Sequence, residues 1–249
     1  IMEMKKILVA GESWTSFTTH VKGFDTFVTS VYEEGIEFLA KAIDKAGYEL
    51  VYLPGQYVAE RFPRTAEELS EYACVVLSDI GSNTLLLSDD TFKRGVKAPN
   101  RCQSIAEYVQ GGGSFLMVGG YMSFSGIDGK ARYGETAVQD ILPIVCIPGD
   151  DRAEHPEGIT PQVVAPHPAL ASLPNQWPHF LGYNKVLPRE GCDVPITIGG
   201  DPLVAFGQFG KGKTAAFTSD CAPHWGPQEF LAWEGYNVLW KGIFDYLTN

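Results

Sequence analysis

The chain has 249 residues, 45% of them hydrophobic and 20% charged, a globular balance with room for one large α/β domain or two small ones. Its formal net charge of −11 disfavours nucleic acid as a partner, because phosphate binding needs a basic face. No apolar run reaches the length of a membrane span, so no membrane partner is expected either. The Ile1–Lys6 segment precedes an apolar run, Ile7 to Ala10, that is too short for a signal-peptide core, which predicts a cytoplasmic location. Cys74, Cys102, Cys146, Cys192 and Cys221 form an odd, scattered set without C-x-x-C pairs, which argues against disulfides or a zinc ribbon.

In chain order, Lys6 to Ala10 reads as a buried parallel strand that runs into Gly11-Glu12-Ser13-Trp14. A polar loop with His20 and Asp25 is expected next, then a helix from about Ser30 to Ala46. Ile36, Leu39, Ala40 and Ile43 share one face of that helix, and Gly47 ends it. Glu49 to Leu53 is the second strand. Thr65-x-x-Glu68 is a capping box that opens a short helix, and Cys74 to Leu77 is the third strand. A long connection through Pro99 leads to a helix from about Arg101 to Gln110 and a fourth strand, Phe115 to Val118, bounded by two glycine clusters. The repeated alternation predicts a flavodoxin-like, doubly wound, mostly parallel sheet with helices on both faces.

The second half is less regular. Gly134 to Leu142 suggests a short helix, and the Pro/Gly-rich stretch from Pro143 to Pro202 holds short strands at Val163–Ala165 and Ile196–Ile198. This irregular β-containing insertion could serve as an oligomer arm, which would make the chain a homo-oligomer. Leu203 to Phe209 and Thr214 to Ser219 form a hairpin around Gly210-Lys211-Gly212-Lys213. A closing helix is expected from about Gln228 to Leu247, with Tyr236, Leu239, Trp240, Ile243 and Leu247 inward. One domain spanning 1–249 is the simplest organisation.

Open α/β sheets place their chemistry at the carboxyl ends of strands. Four such ends collect polar groups: Glu12 and Ser13, Asp79, Tyr121 and Ser123, and Asp220 with His224. The candidate catalytic set is His224 as acid or base, Asp220 or Glu12 as orienting carboxylate, and Tyr121 as hydroxyl donor. Ser13, Trp14, Asp79, Ser123 and Trp225 are candidate ligand-binding residues, with the aromatic rings stacking on a small molecule. The same residue types also cap helices and hold loops. Cys221 lies three residues before His224, but neighbours in one loop seldom reach in-line geometry, so a buried, inert thiol is the simpler reading. A metal site from Glu12, His20, Asp79, Asp220 and His224 can be assembled by residue type, yet no pair shares a helix face at ligand spacing, and no metal or cofactor is assigned.

The stretch Gly111 to Gly120 resembles the strand before the nucleophile turn of class I glutamine amidotransferase-like domains. Gly11-Glu12-Ser13-Trp14, Leu77-Ser78-Asp79-Ile80-Gly81 and Thr218 to Trp225 resemble a cytoplasmic subgroup of that superfamily, near the trehalose-utilisation-type proteins. Working members use a Cys in a Gly-x-Cys-x-Gly turn and a His-x-Glu after the last strand. Here the turn offers Tyr121 or Met122, and Gly226 stands two residues beyond His224. The resemblance therefore implies the fold without thioester chemistry. A non-canonical enzyme acting on a small polar metabolite is the first expectation, and a catalytically silent, sugar-like binding protein or oligomeric scaffold is the second.

Overall fold

In the computed structural model, residues 3–249 are described; Ile1 and Met2, which begin the segment read for a signal peptide, lie outside the described residues. The first half carries β1 (Lys6–Gly11), β2 (Ser13–Lys22), β3 (Asp25–Glu34), α1 (Glu37–Lys45), β4 (Glu49–Leu53), α2 (Gly55–Arg61), α3 (Ala66–Leu69), β5 (Cys74–Ser78), α4 (Ser82–Leu86), α5 (Asp89–Arg94), α6 (Arg101–Gln110) and β6 (Phe115–Val118). The second carries β7 (Ile144–Cys146), β8 (Arg152–Ile159), β9 (Gln162–Val163), β10 (Phe180–Asn184), β11 (Val186–Pro188), β12 (Asp193–Ile198), β13 (Asp201–Phe209), β14 (Gly212–Phe217), α7 (Gln228–Leu231) and α8 (Gly235–Thr248).

The main sheet has eight strands in the order β4-β1-β5-β6-β14-β13-β12-β9. The first five are mutually parallel and follow the flavodoxin-like order. The last three are antiparallel additions. Side chains alternate across the parallel strands with period two. Ile7, Val9, Val76, Leu116 and Val118 pack with α1 and α8 through Leu39, Ile43, Leu239 and Trp240. Leu8, Leu77, Phe115 and Met117 face the other way, onto Val58, Leu69, Ile105 and Val109. Both faces are thus covered, which is why β1, β5 and β6 read as near-continuous apolar runs.

Three expectations need correction. The loop expected around His20 and Asp25, and the helix expected from Ser30, are instead the two strands of a hairpin, paired from Ser13↔Glu34 to Lys22↔Asp25. Threonine, valine and aromatic residues dominate this segment and favour extended backbone, and the helix begins only at Glu37. The connection through Pro99 holds α4 and α5; α5 is capped by Ser88, whose Oγ accepts the Thr91 N–H, and ends at Gly95 in the left-handed region. The closing helix is broken at Ala232–Glu234 into α7 and α8. The predicted inward residues Tyr236, Leu239, Trp240, Ile243 and Leu247 are buried in α8. The Thr65 cap is present, its side chain accepting the Glu68 N–H at 3.2 Å.

The Pro/Gly-rich stretch does not project from the molecule. Phe180, Tyr183 and Val186 are buried, and β10 pairs with β8 while β11 pairs with β7. The element that projects is the β2–β3 hairpin, where every residue from Thr15 to Glu34 except His20 is exposed. Among the described residues no helix is long and apolar enough to cross a membrane.

Candidate functional site

A cleft of about 640 Å³ opens at the carboxyl ends of the parallel strands, lined by Trp14, Asp79, Tyr121, Glu154, Pro156, Leu181, Asp220, His224 and Trp225. Its floor is built where β1, β5 and β14 end. Gly11 has φ of +108°, and the chain passes so close to β5 that the Glu12 N–H donates to the Ser78 carbonyl at 2.8 Å. Glu12 follows at φ +49°, Asp79 has φ +50° and His224 has φ +119°. Left-handed backbone at non-glycine residues costs of order 1–3 kcal/mol each and persists only where the surroundings impose it. Three such residues at one sheet edge therefore mark a site that the fold holds under strain.

The acidic groups are concentrated below and along this floor. Glu12 is 1% exposed, beneath the cleft, and its Oε1 accepts the Ser78 hydroxyl at 2.6 Å. Its other oxygen occupies space that a Cβ at Gly35 would fill. Asp220 is 3% exposed, and Oδ1 accepts the Ala222 N–H at 3.0 Å. Single ligand atoms from Glu12, Asp220 and Cys221 lie within 4.8 Å of one another. Asp79 accepts the Met122 N–H at 2.8 Å. Burial pushes all three carboxyls up, and mutual repulsion adds to this at Glu12, facing Asp220 and Asp79, and at Asp220, facing Asp79. A carboxyl so placed can hold a proton at neutral pH and deliver it as an acid.

His224 stands at the rim, its side chain half exposed, with Nδ1 3.8 Å from Asp220 Oδ2. This is ion-pair distance, too long for a hydrogen bond. The Trp14 indole lies 5.0 Å from the His224 ring and donates Nε1–H to Glu33. On the far wall, Glu154 joins two aromatic residues. Its carboxylate accepts the Tyr121 hydroxyl at 2.6 Å and the Trp225 Nε1–H at 3.0 Å. The Arg152 guanidinium lies 4.9 Å from the Tyr121 ring centre. The hydrogen bond to Glu154 raises the Tyr121 phenol further, so this hydroxyl is a donor and not a nucleophile.

Of the residues singled out from the sequence, Trp14, Asp79, Tyr121, Asp220, His224 and Trp225 share the cleft wall, and Glu12 lies directly beneath it. Ser13 and Ser123 do not reach the cleft. Ser13 Oγ accepts the Gly55 N–H, and buried Ser123 donates to the Val118 carbonyl while accepting the Asp79 N–H at 3.0 Å. Ser123 therefore sets the strained Asp79 backbone. His20 sits far along the hairpin, stacked on Phe27. Glu154 and Asn184 escaped the sequence reading. Asn184 is fully buried, accepts the Gly120 N–H and donates to the Gly120 carbonyl and to Asp151. It clamps the turn after β6 from a strand 64 residues away, and no local spacing announces such a contact.

No cysteine lines the cleft among the described residues. Cys221 is fully buried, and burial with the neighbouring Glu12 and Asp220 pushes its thiol well up. Native protein treated with iodoacetamide at mildly alkaline pH should leave Cys221 unmodified while the denatured chain reacts fully; mass spectrometry of the Cys221 peptide checks this.

Comparison with known proteins gives the family. Residues 6–249 match the GATase1_like family model, described as "Putative glutamine amidotransferase". The chain is similar to the Salmonella typhimurium cytoplasmic protein STM3548, with 45% identity over 97% of this chain and 98% of that one and a TM-score of 0.93. It is similar to STM1381 from Salmonella typhimurium LT2, with 43% identity over 98% and 100% of the two chains and a TM-score of 0.95. A ThuA-like protein from Bacteroides uniformis shares the fold at 13% identity, covering 99% and 93% of the two chains, with a TM-score of 0.59. None of the curated proteins matches the chain. With a family match across nearly its whole length and relatives above 40% identity at nearly full coverage, the chain belongs to the GATase1_like family.

Proposed function

We propose that the chain is a non-canonical member of its family, an acid–base enzyme acting on a small, neutral, polar metabolite such as a sugar or an amide. The observation that carries this reading is the gathering of Glu12, Asp79 and Asp220 with raised proton affinity next to His224, from the three loops that follow β1, β5 and β14, with three of the four residues on left-handed backbone. The aromatic surfaces of Trp14, Tyr121 and Trp225 would stack on the ligand, and Asp79 and Glu154 would accept its hydroxyl or amide protons. So many carboxyls in one cleft oppose a phosphorylated or carboxylated ligand. The sugar-like choice draws on this chemistry; the ThuA-like protein shares only the fold. His224, whose imidazole stands on the cleft wall with Nδ1 3.8 Å from Asp220 Oδ2, exchanges protons with the ligand.

A cytoplasmic location fits the description of the two Salmonella relatives as cytoplasmic proteins. A silent, sugar-like binding protein is the second reading, favoured by the aromatic walls alone. Both are tested by titrating neutral sugars and amides against tryptophan fluorescence and following product by NMR. The enzyme reading expects turnover that falls about 10²- to 10⁴-fold in His224→Ala while affinity changes less than tenfold. Binding without product selects the second reading. Turnover unchanged in both His224→Ala and Asp79→Asn overturns the first.

A further inference from the structure

The β2–β3 hairpin has no role in the cleft beyond Trp14 at its base. It is a two-stranded sheet that pairs with no other strand, ten residues to a side and about 33 Å long. A lone two-stranded hairpin is marginal in water, and long exposed edges of this kind invite pairing with another chain. This one is also apolar. On one face Phe17, Val21, Val28 and Tyr32 are 45–74% exposed; Phe27 and Val31 are exposed on the other, and Phe24 at the tip is fully exposed. Together these side chains leave on the order of 800 Å² of apolar surface in water, more than the largest apolar patch of a typical monomer.

We propose that this hairpin is an arm that docks on the same arm of a second copy of the chain. The charge pattern favours a second copy. From Thr15 to Val21 and from Thr26 to Tyr32 there is no Asp, Glu, Lys or Arg, although the chain as a whole is 20% charged and carries −11. The arm is therefore a surface on which two acidic copies can meet without repulsion. The charged residues are sorted by end: Lys22 and Asp25 flank the tip, and Glu33 and Glu34 lie at the base. Two arms laid antiparallel about a two-fold axis, β2 beside β2, bring Lys22 of each copy toward the glutamates of the other. The contact is self-complementary and closes at two copies. It would also hold the base of the arm, and with it Trp14 against His224.

Sedimentation velocity over a wide concentration range tests the proposal. Wild type is expected at twice 27.2 kDa, and Phe17→Glu combined with Val28→Glu at 27.2 kDa with unchanged circular dichroism. A wild type that is monomeric throughout, whether or not it floats with phosphatidylcholine vesicles, overturns the proposal. So does a folded variant that keeps the wild-type mass. Should the variant fail to fold, hydrogen exchange on wild type decides. Pairing between arms expects slow exchange of the β2 amides on both edges, about 100-fold below free-peptide rates, and free-peptide rates on the outer edge overturn it.

Discussion

Gly11→Ala is expected to cost about 4 kcal/mol or more of folding stability, against about 1 kcal/mol for Gly47→Ala. Both glycines have positive φ, +108° and +87°. At Gly47 an added Cβ meets nothing within 4 Å, so the cost is the backbone conformation alone. At Gly11 the Cβ would lie 1.9 Å from the Ser78 carbonyl oxygen, an overlap with backbone that no rotamer relieves. The ends of β1 and β5 would have to separate, breaking the Glu12–Ser78 backbone hydrogen bond at the point where the carboxyl cluster is held. Urea denaturation of the two variants checks the contrast. Equal losses would show that the strands do not approach so closely.

The second large effect is a gain. Glu12→Gln should stabilise the protein at mildly alkaline pH by about 1–3 kcal/mol, since each unit by which burial raises a carboxyl's pKa costs about 1.4 kcal/mol once that group is ionised. Glu12 is raised by burial first and by Asp220 and Asp79 next. The sign follows from proton uptake. Above the ordinary carboxylate range the unfolded Glu12 is ionised while the folded one still holds its proton, so folding binds a proton and stability falls as pH rises through the folded pKa. Glutamine removes that loss and can keep the Ser78 hydrogen bond. The advantage of the variant should shrink as pH falls toward the ordinary range, read from denaturation midpoints along a pH series. A difference independent of pH would mean that Glu12 titrates normally. If the proposed function holds, the same change lowers turnover, a trade of stability against activity.

The parallel half of the fold was legible because its strands are buried on both faces and therefore appear as uninterrupted apolar runs such as Ile7 to Ala10 and Phe115 to Val118. The hairpin at 13–34 was not. Its faces are both solvated, so apolar and polar residues do not sort by period two, and its serines and threonines resemble a loop. The strand-end rule brought Trp14, Asp79, Tyr121, Asp220, His224 and Trp225 to one wall, because parallel topology alone puts those ends on one edge. Glu154 and Asn184 arrive from antiparallel strands in the irregular half, 33 and 64 residues from the groups they hold, where register and not spacing decides the contact. Whether a serine lines a cleft or braces a backbone was equally hidden, since both uses draw on the same hydroxyl, as Ser123 shows.

The position of β14 has a consequence for how the protein is made. This strand lies in the middle of the main sheet, between β6 and β13, yet it spans residues 212–217, about a hundred residues after its parallel neighbour β6. A ribosome that has released the first half has delivered β4, β1, β5 and β6, whose pairing can form, with β6 left as a raw edge. That edge, Phe115-Leu116-Met117-Val118, is fully apolar and fully buried in the finished molecule. Until β14 emerges the nascent chain carries it uncovered, and closing the pair means joining segments far apart in the chain, which is slow. Synthesis is thus the interval in which this protein is most exposed to aggregation, and a chaperone would find its binding sequence there.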